Sequence, residues 1–103
     1  MIKLCQALDE RPGVRRTLAS QLLRAGTSVG ANVAEAQAAQ SRPDFVSKLN
    51  IALKEARETL YWLRLLAETD LIEAARLGPI TTEADEISRI LGTIVRTCRQ
   101  SRT

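Results

Sequence analysis

Ser28, Asn32 and Glu35 follow one another at i, i+4 and i+7, so on a helix they form one polar line. Further along, Glu55 and Glu58 are three residues apart, and Arg24 and Lys48 supply cations for them. Carboxylates grouped with cations could hold a ligand, relay a proton or coordinate metal. Di-iron chemistry in a helical bundle uses Glu-x-x-His motifs, and the 103 residues contain no histidine. The same absence removes Ser-His and Cys-His nucleophile pairs. Gly26 and Gly30 lie inside a helical pattern, so they do not form a phosphate-cradling loop. A small helical enzyme using Arg24, Lys48, Glu55 and Glu58 is the remaining catalytic reading. The competing reading is a polar network of Ser28, Asn32, Glu35, Lys48 and Glu55 that fixes the register of two alanine-rich helices.

The second group with chemistry is cationic. Arg11, Arg15, Arg16 and Arg24 have no acidic residue among them, and neither do Arg89, Arg96, Arg99 and Arg102. In a bundle the last three share an end with Arg42 and Lys48. Arginines without acidic neighbours can hold phosphates, which makes Arg42, Lys48, Arg96, Arg99 and Arg102 the candidate nucleic-acid contacts. The alternative is that cations near a helix C-terminus offset its dipole and keep the surface soluble. The three aromatics, Phe45, Tyr61 and Trp62, lack the spacing of a base-stacking platform, so binding would be through backbone charge.

These side chains must be carried by helices. A chain of 11.3 kDa supports one domain, residues 1–103. Hydrophobic residues make up 45% and aromatics only 3%, an alanine-rich balance that favours helix over strand. The net charge of +3 permits an acidic partner without requiring one. Cys5 and Cys98 lack CxxC spacing and read as reduced thiols of a cytoplasmic protein, with no disulfide between them. No apolar run approaches the length of a membrane span.

Pro12-Gly13, Ser41-Arg42-Pro43 and Gly78-Pro79 divide the chain. Leu4, Cys5 and Leu8 predict about two turns of helix over 1–8, too short to stand alone. Val14, Leu18, Leu22, Ala25, Val29, Val33 and Ala36 trace one stripe of a second helix reaching about Gln40. Beside it, Gly26, Gly30, Ala34 and Ala38 form a line of small residues that predicts close approach of another backbone. Ser41-x-x-Asp44 reads as a cap, opening a third helix with a seam of Phe45, Leu49, Ala52, Ala56, Leu60, Leu63 and Ala67. Ile51, Trp62 and Leu65 widen that seam enough to predict burial on two sides. A short helix around 70–76 would precede a last helix starting at Pro79 or capped by Thr82, with Ile80, Ala84, Ile87, Leu91, Ile94 and Cys98 inward. The fold predicted is all-α, an antiparallel up-and-down four-helix bundle with a shortened first helix. A hairpin about Ser41 sets Glu35 opposite Lys48, Asn32 near Ile51 and Ser28 opposite Glu55, with Arg24 in reach of Glu58.

Two long runs resemble a known family. LLRAGTSVGANVAEA, from Leu22 to Ala36, and SRPDFVSKLNIALKEARETLYWL, from Ser41 to Leu63, are similar to the bacterial four-helix-bundle proteins first noticed as products of intervening sequences in 23S ribosomal RNA genes. Family members carry a full first helix, and here only about its last two turns are present. The resemblance implies a homo-oligomer, a ring of five subunits. It also implies a likeness to the pentameric, basic accessory protein of diversity-generating retroelements, which works with a reverse transcriptase and nucleic acid. It supplies no enzyme activity, catalytic residue, cofactor or metal. The expectation is a non-enzymatic cytoplasmic homopentamer, a scaffold or nucleic-acid accessory that binds RNA or DNA and takes no small-molecule substrate. The alternative is a purely structural protein-interaction module.

Overall fold

The computed structural model describes residues 1–10 and 13–100. Four helices follow in order: α1 Ile2–Asp9, α2 Val14–Gln37, α3 Arg42–Glu68 and α4 Ala74–Gln100. They form an antiparallel bundle 50 Å long and 21 by 16 Å across. Among the described residues there is no strand.

Local chemistry sets the helix ends. Gly13 precedes α2 at φ +92°, a conformation an L side chain rarely adopts. The Ser41 hydroxyl accepts the Asp44 amide at 3.2 Å, closing the first turn of α3, and Asp44 adds negative charge where the helix dipole is positive. At the other end the Thr69 hydroxyl donates to the Leu65 carbonyl at 2.7 Å. Asp70 then turns the chain at φ +56°, which a short acidic side chain tolerates.

The last helix differs from the sequence expectation. There is no separate short helix at 70–76, and neither Pro79 nor Thr82 begins α4; both lie inside it. Pro79 is near the start of the helix, where its missing N–H costs a single backbone bond. Gly78 before it has no Cβ to meet the proline ring. Leu77, only 1% exposed, anchors this first turn in the core, so packing overrides the Gly-Pro break.

The central helix is α3, with α2 packed on one side and α4 on the other; α1 lies on α2, and the α2 and α4 backbones do not meet. Two apolar clusters fill the interior. Leu8, Leu22, Leu63, Leu66 and Leu77 centre the first, and Leu49, Ala52, Ala56, Leu91 and Val95 the second. Each leucine taken fully from water contributes about 1.5–3 kcal/mol. Thr59 is buried between them with its hydroxyl bonded to the Glu55 carbonyl at 2.8 Å. No disulfide joins the two cysteines; Cys5 is buried in the first cluster and Cys98 flanks the second. Val14, placed on the buried stripe by sequence, is exposed.

Candidate functional site

The polar line of α2 faces α3, but it is not one continuous network. Glu35 and Lys48 meet at 3.0 Å, with side chains 57% and 34% exposed, so this pair is wetter than the semi-buried site expected. Asn32 Nδ2 donates to the Ser28 carbonyl at 2.9 Å and to its hydroxyl at 3.1 Å, a contact within one helix. Glu55 turns to Arg24 at 3.2 Å and not to Ser28, and the same guanidinium grips Glu58 at 2.6 Å. The division follows from reach: a guanidinium fork spans two carboxylates one turn apart on α3, leaving Ser28 nearest to Asn32.

This grip sets the protonation states. The Arg24 hydrogen bond holds the Glu58 carboxyl below the usual carboxylate range, against desolvation that raises it. Arg24 is in turn raised, first by its bond to Glu58. Lys48 is raised by its hydrogen bond and charge contact with Glu35. The Trp62 indole N–H is close enough to favour the ionised Glu58, yet it is buried without an acceptor in good geometry. Burial pushes the Cys5 thiol up, which makes it inert as a nucleophile.

None of Arg24, Lys48, Glu55 and Glu58 lines one of the main clefts. Among the described residues no group of three or more His, Cys, Asp and Glu side chains is placed to hold a metal. No helix among them is long and apolar enough to cross a membrane.

The cationic candidates separate as well. The Arg42 guanidinium donates to the Cys98 carbonyl at 2.9 Å, tying the start of α3 to the last turn of α4. Lys48 is committed to Glu35. Arg96 and Arg99 are exposed on α4, and Arg102 lies outside the described residues. Sequence reasoning missed Arg57, which with Arg96 and Arg99 lines a cleft of about 410 Å³ between α3 and α4. The signal is the heptad spacing of Asn50, Arg57 and Arg64, masked in sequence by Glu55 and Glu58 on either side of Arg57.

A second feature is apolar. Between α2 and α4, α1 fills one end only. Beyond it is a cleft of about 300 Å³, walled by Val29 and Gly30 on one side and Ile80 and Ile87 on the other, with Ala56 and Thr59 as floor. Ile90 and Ile94, 58% and 37% exposed, continue the α4 wall by helical spacing. A Cβ on Gly26 would come within 3.1 Å of the Met1 side chain, whereas one on Gly30 would meet nothing within 4 Å. The small-residue line therefore receives a side chain at Gly26 and no backbone of this chain at Gly30.

Known proteins give the same picture of the fold. The family model described as 23S rRNA-intervening sequence protein matches residues 1–93. A crystal structure of a protein with unknown function from the S23 ribosomal protein family of Bacteroides thetaiotaomicron VPI-5482 is similar at 45% identity and a TM-score of 0.83, covering 91% of this chain and 86% of that one. No curated protein matches. With the match running from α1 well into α4 and the helices superposing on a relative's, the chain belongs to the 23S rRNA-intervening sequence protein family.

Proposed function

We propose that this chain is a non-enzymatic, cytoplasmic homo-oligomeric scaffold that acts as an accessory to nucleic acid. The observation that carries the reading is the open lane between α2 and α4. Gly30 lines it, a mid-helix glycine at which an added Cβ would meet nothing within 4 Å, and Ile90 and Ile94 stand exposed further along α4. Mid-helix glycine costs about 1 kcal/mol relative to alanine, and a second copy packed closely on the lane would offset that cost. A ring of five, the number the family resemblance implies, would gather the charge of +3 per chain into about +15. The non-enzymatic part is supported by the lack of histidine and by carboxylates engaged with Arg24 away from the main clefts. Light scattering on the eluting protein tests the oligomer: a mass several times 11.3 kDa is expected. A stable species of one chain would remove the reading. Anisotropy with RNA and DNA over a salt series tests the accessory role. Affinity that falls as salt rises is expected, and no affinity at low salt would count against it.

A further inference from the structure

The charges of α3 are sorted by face. Toward α2 lie Glu55 and Glu58, both held by Arg24. Away from α2, Lys54, Arg57, Tyr61 and Arg64 follow at steps of three, four and three, one line on the helix. None of the three cations on this line forms an ion pair among the described residues, and neither do Arg96 and Arg99 across the cleft on α4.

The cleft between α3 and α4 has Leu53 and Val95 as its floor and Asn50, Arg57, Arg96 and Arg99 around it. A neighbouring cleft of about 200 Å³ shares Arg57 and carries Tyr61 and Arg64, ending at Glu68. The two adjoin at Arg57, the second lined by α3 residues alone, and together they follow α3 for about 20 Å from Asn50 to Arg64 as one path. Cations stand on both sides of its first half, and an aromatic ring lies in its second. Tyr61 is 58% exposed, and Trp62 meets it edge-on at 5.1 Å and 70°, which fixes how the ring is presented.

We infer that the α3–α4 cleft is a binding path for single-stranded nucleic acid, with Arg57, Arg96 and Arg99 taking phosphates and Tyr61 stacking on a base. This rests on the accessory reading above and gives it a place and a ligand class. Three guanidinium groups without carboxylate partners around one concavity suit phosphodiester oxygens. A half-exposed tyrosine on a cationic line has a natural partner in an unpaired base, because every base offers a π-face while a duplex keeps its own stacked inside. Of the five cations expected from sequence, the path keeps Arg96 and Arg99 and not Arg42 and Lys48, Arg102 lies outside the described residues, and Arg57 and Tyr61 are added.

The test uses anisotropy of labelled oligo-U, oligo-dT and a duplex of equal length, with the whole chain and a salt series. The variant Arg57→Gln/Arg96→Gln/Arg99→Gln is expected to bind at least tenfold more weakly, with a salt slope shallower by about 2, since each single-strand phosphate contact contributes about 0.7. Lysine at the same three positions should keep most of that slope. Tyr61→Leu is expected to weaken binding about tenfold with the slope unchanged, and Tyr61→Phe to restore it. Lys48→Gln should bind like the wild type. All these side chains except that of Lys48 are exposed, and circular dichroism confirms folding of each variant. Oligo-U against oligo-dT separates RNA from DNA preference. If the wild type binds neither strand at low salt, the accessory reading fails with the inference. If it binds and the triple glutamine variant binds equally, or the duplex competes as well as the single strand, the inference alone is overturned.

Discussion

Arg24 Nη2 lies 2.6 Å from both carboxylate oxygens of Glu58, and the same guanidinium reaches Glu55 at 3.2 Å. One cation on α2 therefore holds two carboxylates that stand one turn apart on α3. The Glu55 side chain is only 14% exposed, so it depends on that cation more than a surface carboxylate would.

The clamp gives a pH prediction. The Glu58 carboxyl is held low in the folded state, so its contribution to stability is present above the ordinary carboxylate range and lost as pH falls through the folded value. Wild-type stability is expected to rise from about pH 3 to pH 6. In Arg24→Gln two carboxylates face each other without a cation, so the rise should flatten or reverse. Urea melts at several pH values measure it; an unchanged profile would mean the clamp does not hold in solution.

Lys48 runs the opposite way. It is raised by Glu35, so its contribution is present below the ordinary lysine range and lost as pH rises through the folded value. Glu35 is exposed and Lys48 half-buried, and Glu35→Ala should lower Tm by only about 2 °C or less. A larger fall in a thermal melt would show that the two side chains are more desolvated than their exposure indicates.

The short first helix is held by Leu8, which is 1% exposed in the first cluster. Leu8→Ala is expected to cost about 2–5 kcal/mol in chemical denaturation and to speed hydrogen exchange across α1. A loss well under 1 kcal/mol would mean that α1 contributes little to the fold.

Most of this architecture was legible in the residues. The apolar stripe of Leu18, Leu22, Ala25 and Ala36 and the seam from Leu49 to Leu63 are period-3.6 patterns, and the Ser41 cap is a short-range signal. The start of α4 was not legible, because Gly78-Pro79 is a local break and the anchoring of Leu77 is a tertiary fact. The pairing of Glu35 with Lys48 follows from hairpin register alone. The choice of Glu55 between Ser28 and Arg24 does not, since it depends on how far a guanidinium reaches. Arg57 carries no signal of its own in sequence, because only the fold brings Arg96 and Arg99 of α4 to the same cleft.

Pro79 lies inside α4 and not at its start. Alanine there would restore an N–H within α4, so Pro79→Ala is expected to stabilise the fold by about 1–3 kcal/mol. Destabilisation would indicate that the proline marks a functional end of the helix.

Sedimentation equilibrium of the wild type beside an Ile90→Glu/Ile94→Glu variant tests most directly whether a second copy covers the lane between α2 and α4. Both side chains are exposed in the single chain, so the variant keeps its own core. The wild type should sediment as a multiple of 11.3 kDa and the variant as one chain. A wild type of one chain, or a variant that keeps the wild-type mass, would contradict it.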